Sequence, residues 1–233
     1  MELKAQIRKL SLWIFFIALI SVNLCLFISV NYNIFLGTFL EVDPIGRSGF
    51  TFPYIDGGVS ISRTARTYPT YLIFKPGMFI VSILLIIYWI KANEIINYFS
   101  YKEKKDNLFK TFGILSAVFL ICHSLLLGIK LDYDFYKFFR RFVLLAFIIF
   151  EIIAQSLLVY KFFKMKEVIS KHINRYALKL KILLVSALVL IAILSIPVIS
   201  TSGNTHIKHA LEWNYFLGVI VFYLLTFLMW KKN

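Results

Sequence analysis

Residues 12–30 read LWIFFIALISVNLCLFISV, nineteen consecutive positions without a charged side chain. A helix of this length spans the hydrocarbon core of a bilayer, about 30 Å thick, at a rise of about 1.5 Å per residue. Five comparable stretches follow, at 74–90, 111–129, 142–160, 182–200 and 213–230. The 233 residues are 60% hydrophobic and 16% charged, with a mean hydropathy of +0.78. A soluble domain carries about 25% charged residues. The pattern therefore predicts an all-α, polytopic membrane protein: six transmembrane helices in one domain, residues 1–233, with no stretch left for a separate soluble domain.

The net charge of +14 invites a nucleic-acid reading, and its distribution argues against one. With the N-terminus in the cytosol, 17 of the 26 Lys and Arg residues fall on the cytosolic side and nine in the outer segments. This asymmetry is the positive-inside rule at work. It predicts both termini in the cytosol, no nucleic-acid partner, and a secondary attraction of the basic segments to anionic headgroups. The organelle, or the plasma membrane, is left open. The first apolar run is long for a signal peptide and has no small-residue cleavage site after it, so it is expected to be an uncleaved first span. Cys25 and Cys122 both lie in mid-span, where free cysteines act as small apolar fillers. No metal-ligand spacing and no cofactor motif is expected from this chain.

The long outer loop, 31–73, is dense in Gly and Pro, which predicts turns, with Gly49–Ile55 a short strand at best. Span 2 is expected to start near Pro76-Gly77. The segment 93–110, NEIINYFSYKEKKDNLFK, mixes aromatics with lysines. It is expected to lie along the headgroups, with docking of a protein partner as the alternative. Span 4 is expected to run past the membrane, and span 5 to end at Pro197.

Polar residues inside apolar spans are costly and mark structure or function. Glu151 sits at the centre of span 4, with Gln155 four residues on and hence on the same face. Asn23 in span 1 and His123 in span 3 fall at similar depth. The four could form a structural hydrogen-bond network or a functional polar site, and the sequence leaves both open. A second group, His206, His209 and Glu212, stands at the outer mouth of span 6, suited to ordinary hydrogen bonding, to a lipid headgroup or to acid–base work. Metal binding lacks the spacing that would support it. A third group, Asp56, Arg63 and Arg66, lies in the outer loop, where guanidinium groups meet bilayer phosphates or clamp a specific headgroup.

Three segments together resemble the FRAG/DRAM/SFK family of six-span membrane proteins. Phe52-Pro53-Tyr54-Ile55-Asp56-Gly57 looks like that family's "PYIS-D-G" stretch. His123 falls where the family tends to place a histidine, and His209-Ala210-Leu211-Glu212-Trp213 looks like its His…Glu-Trp opening of the last span. Ser62-Arg63-Thr64-Ala65-Arg66 stands where the family often has a Pro-Pro-Glu-like turn. The family includes autophagy modulators and Golgi proteins that remodel the lipid of GPI anchors. The resemblance implies a site near the outer leaflet formed by the loop, His123, His209 and Glu212, with membrane lipids as partners.

The leading expectation is a protein that handles or senses lipid headgroups there, as a regulator of lipid composition or a lipid-anchor remodelling factor. One alternative is a lipid acyl transferase or hydrolase with a histidine base and Ser202 or Thr205 as nucleophile. The other is a proton-coupled transporter or channel using Glu151 and His123.

Overall fold

The computed structural model describes residues 2–100, 107–129, 133–201 and 203–231. Eight α-helices occur among them: α1 (Glu2–Val30), α2 (Ile61–Ala65), α3 (Tyr71–Phe99), α4 (Leu108–Leu126), α5 (Asp134–Lys164), α6 (Lys166–Ile169), α7 (Arg175–Ser200) and α8 (Thr205–Met229). Six of them, α1, α3, α4, α5, α7 and α8, are long and apolar enough to cross a membrane. The chain is thus an all-α, integral, multi-pass membrane protein.

The six long helices close into a ring in which each packs on two others. The order around the ring is α1, α3, α4, α5, α7, α8 and back to α1. The α4–α5 hairpin is the tightest pair and the α5–α7 seam the sparsest. Close approach depends on small residues, as expected where lipid removes the hydrophobic drive between helices. Gly113 on α4 leaves room for the indole of Trp89 on α3, and Gly77 on α3 leaves room for Ser21 on α1.

Helix ends differ from the apolar stretches. α3 begins at Tyr71, five residues before Pro76, which sits inside the helix. The missing N–H of proline there spares only the carbonyl of Leu72, a residue that is 54% exposed and lies next to the loop. Pro197 likewise lies inside α7, whose last turn closes with Thr201 N–H donating to the Pro197 carbonyl. α5 does continue past its apolar run, to Lys164, and breaks at Met165 before the short α6. Asn174 then caps α7 by accepting from the N–H groups of Tyr176 and Ala177.

The expected headgroup segment 93–110 is corrected at both described ends. Asn93–Phe99 completes α3, and Leu108–Lys110 begins α4. Asn93, Ile95 and Ile96 are buried in the bundle, so helical packing claims them. Residues 101–106, the centre of the possible docking segment, lie outside the described residues.

The 31–70 loop folds over one end of the bundle, called here the loop end. The strand reading of Gly49–Ile55 does not hold. The carboxylate of Asp56 accepts from Thr51 Oγ1 (2.5 Å), Phe52 N–H (2.8 Å) and Gly58 N–H (2.8 Å), which winds the segment into a turn. At the opposite end, Ile173 pairs with Trp230, Asn174 N–H donates to the Met229 carbonyl and Lys231 N–H to that of His172. There Lys4 Nζ lies 3.3 Å from His172 Nδ1. Burial first, then the Lys4, Lys171 and Lys231 ammonium groups, hold that imidazole below its usual proton affinity.

Candidate functional site at the loop end

The first half of α8 holds the loop by its backbone. His206 and His209 sit one turn apart, and Trp213 and Asn214 a turn further on. His206 Nδ1 lies 3.2 Å from the Asp56 carbonyl and His209 Nδ1 lies 3.0 Å from the Gly57 carbonyl. Trp213 Nε1 donates to the Val59 carbonyl at 2.8 Å, and Asn214 Nδ2 to the Tyr54 carbonyl at 2.7 Å. A carbonyl only accepts, so both imidazoles carry a hydrogen on Nδ1. Half-buried Glu212 completes the clamp by facing the backbone of Ile61 and Ser62 at the start of α2.

Two features let the loop come this close. Gly57 has φ +60°, and a Cβ there would run into the His206 carbonyl. Tyr54 packs edge-on to Trp213, with ring centroids 5.0 Å apart. The Tyr54–Val59 loop is thus bound to the His209…Asn214 face of the last helix. Asp56, expected at a lipid, instead spends its carboxylate on its own turn. The Thr51 hydroxyl first, then the Gly58 and Phe52 amides, hold it below its ordinary proton affinity.

Below the clamp, inside the ring, lies a partly open cavity with a volume of about 100 Å³. Its wall is almost wholly apolar, built from α1, α3, α4, α5 and α8 side chains such as Ala18, Met78, Leu120, Phe147 and Val219. His123, Glu151 and Glu212 are the titratable groups in the wall besides Tyr215 and Tyr223. His123 is only 5% exposed, and its Nδ1 is buried without a hydrogen-bond partner among the described residues.

Glu151 forms the cavity floor, but its carboxylate is already occupied. It accepts from Ser116 Oγ on α4 at 2.5 Å, from Gln155 Nε2 at 3.0 Å and from the Tyr223 hydroxyl on α8. Gln155 Nε2 also lies 3.3 Å from the Val219 carbonyl. This hub ties α4, α5 and α8 together through Ser116, Gln155 and Tyr223. Asn23 is not part of it. Its Nδ2 donates to Leu19 O at 2.9 Å and its Oδ1 accepts from the Tyr54 hydroxyl at 3.1 Å, because α1 faces the loop at that depth. Nor does His123 reach Glu151. Ser116, which does, is seven residues back on α4, about 10 Å by helical rise.

The loop end of the cavity is basic. Arg66, half-buried, has its proton affinity lowered by burial first, then by the guanidinium groups of Arg140 and Arg63. Arg140, on α5, also acts electrostatically on His123. Arg63 follows the cavity-lining Ser62 on α2, and Arg140 is one turn from the cavity-lining Leu144. Gly128, with φ +84°, brings the α4 end against Arg66, since a Cβ there would be 3.0 Å from the Arg66 carbonyl. Among the described residues, no carboxylate pairs with Arg63, Arg66 or Arg140. The three arginines thus stand near the loop end of an apolar chamber without lining it.

The two nucleophile candidates stand at the start of α8 or just before it. Thr205 is exposed at the α8 start, and Ser202 lies outside the described residues. No group of three His, Cys, Asp or Glu side chains among the described residues is placed to hold a metal ion.

Sequence reasoning missed four contributors. Arg140 was counted only as an outer-loop charge, and Ser116 and Tyr223 were passed over as unremarkable span residues. Lys181 was counted as a cytosolic cation, yet it is fully buried in α7. Its Nζ donates to Thr226 Oγ1 at 2.6 Å and lies 3.8 Å from the Phe222 ring centroid. The available signal was periodicity, for Lys181 shares a face with buried Ala177, Leu178 and Val185.

No family model, curated protein or solved structure matches this chain.

Proposed function

We propose that this protein handles or senses anionic lipid headgroups at the outer or luminal leaflet, as a regulator of lipid composition or a lipid-anchor remodelling factor. One observation carries the reading: Arg63 and Arg140 both bear electrostatically on half-buried Arg66 near an apolar cavity, and no carboxylate among the described residues pairs with any of the three. Arg66 and Arg140 are half-buried, and like charges near one another there are costly unless an anion relieves them. A guanidinium binds phosphate bidentately, in a geometry lysine cannot supply. The charge asymmetry of the sequence assigns the loop end to the outer side. The His206, His209 and Glu212 clamp then serves to position Arg63 and Arg66 through the loop rather than to touch the headgroup.

The test is the set of lipids that co-purify in mild detergent. Wild type retains a phosphate-bearing anionic lipid, and R63Q/R66Q loses it while keeping its fold. Equal retention by both proteins overturns the assignment.

A second reading, proton-coupled transport, is favoured by the placement of His123 and Glu151 in one cavity wall. It requires a pH-dependent flux in liposomes that Glu151→Gln abolishes, and flux unaffected by that change removes it.

A further inference from the structure

We infer that the cavity takes an acyl chain of the same lipid whose phosphate the arginines hold, so that the ligand is a chain-bearing phosphate amphiphile bound chain-in. This rests on the headgroup reading above and adds what fills the space beneath it.

The first support is the chamber itself. A water occupies about 10–15 Å³ by the same measure, so the cavity of about 100 Å³ has room for roughly seven to ten groups of that size in a row. Apolar chambers of this kind stay dry and accept apolar guests. The second is length. From Arg140 near the loop end to Glu151 at the floor is eleven residues of α5, about 16 Å by helical rise. Leu144, Phe147 and Ile148 line the path between them.

The third support is a polar group in the right place. His123 is 5% exposed and within electrostatic reach of Arg140, and its Nδ1 has no partner among the described residues. It stands between the arginines and the apolar depth, where an ester or hydroxyl linking phosphate to chain would fall. The fourth is access. The cavity is partly open, no α7 side chain lines it, and past Leu188 the loop-end half of α7 buries only Ser195, which leaves the wall between α5 and α8 thinly covered. A chain can slide in sideways from the adjoining leaflet there. Floor and loop end also differ in kind: the donors on Glu151 are all provided by the protein, so the guest's far end needs no polar group.

The experiment is native mass spectrometry of the protein from micelles, titrated with palmitoyl lysophosphatidic acid or with chain-free glycerol 3-phosphate. Three proteins are compared: wild type, R63Q/R66Q, and Ile148→Trp, which fills the cavity from its lipid-facing wall. Val219→Phe fills it from α8 should Ile148→Trp fold poorly. Wild type is expected to bind the lysolipid at least tenfold more tightly than glycerol 3-phosphate. The cavity-filling variant should lose that advantage while binding glycerol 3-phosphate as wild type does, and R63Q/R66Q should lose both ligands. Lysolipid affinity unchanged in a folded cavity-filled variant overturns the chain-in inference and leaves the headgroup reading standing. So does equal wild-type affinity for the two ligands. No binding of either ligand overturns both.

Discussion

Trp213→Phe isolates the clamp that holds the loop to the last helix. The indole N–H of Trp213 donates to the Val59 carbonyl at 2.8 Å, and both residues are fully buried. Phenylalanine keeps most of the ring, and with it most of the edge-on contact to Tyr54. It removes the donor and leaves the carbonyl buried without its partner, which costs about 1–3 kcal/mol. Trp213 also belongs to the bundle core, where the smaller ring adds a packing cost of its own, while the loss of the donor falls on the loop closing equilibrium. Loop opening should rise about five- to 150-fold. The assay is limited proteolysis in nanodiscs, with cleavage mapped to residues 46–58. Under conditions where opening and closing outpace cleavage, the nicking rate reports the open population. The reasoning is refuted if the nicking rate stays at the wild-type value, or if the six-helix bundle loses as much thermal stability as the loop.

Other consequences follow from the same geometry. Glu151→Ala strands the Ser116, Gln155 and Tyr223 donors in the bundle and should cost about 3 kcal/mol or more, read as a lower melting temperature in detergent. Glu151→Gln keeps a carbonyl acceptor and should fall between the two, so an equal loss in both variants would contradict the hub. Gly113→Ala drives a methyl group into the buried Trp89 indole and should destabilise the α3–α4 pair by about 1–3 kcal/mol, measured the same way; wild-type stability would show that the contact is loose. The Asp56 turn gives a pH dependence. Its folded-state proton affinity is depressed, so its contribution is complete above the unfolded value near pH 4 and fades as pH falls through the lower folded value. The part of loop proteolysis due to Asp56, read as the difference between wild type and Asp56→Asn, should therefore stay constant from pH 7 to pH 5 and change only below about pH 4. Wild type should show the larger acid-induced rise, whereas an increase of the same size in the variant would assign it to another group.

The fold was legible because lipid imposes a simple demand. Six apolar runs, four of them without any charge, have to become six helices, and they do, with ends that extend into polar sequence that hydropathy does not score. Pro76 shows the limit: proline rules place it at a helix start, but in the second turn of α3 it forfeits a single intrahelical bond, and the helix begins earlier. The site was legible only in its ingredients. Glu151, Gln155, His123, His209 and Glu212 stood out as polar groups in apolar sequence. Which of them meet depends on the rotation of each helix, and a span without an amphipathic stripe carries little record of rotation. Asn23 was thus assigned to Glu151 on depth alone, whereas α1 turns it to Tyr54. Arg140 joins Arg63 and Arg66 only because the loop folds back onto the α4–α5 end, a long-range closure that no local pattern encodes.

The most direct measurement is a cryo-electron microscopy map of the protein, with a bound antibody fragment for size, in nanodiscs containing an anionic phospholipid. The account predicts phosphate density among Arg63, Arg66 and Arg140. A well-resolved loop end with the three guanidinium groups ordered, no density between them and lipid headgroups bound elsewhere on the bundle would contradict it.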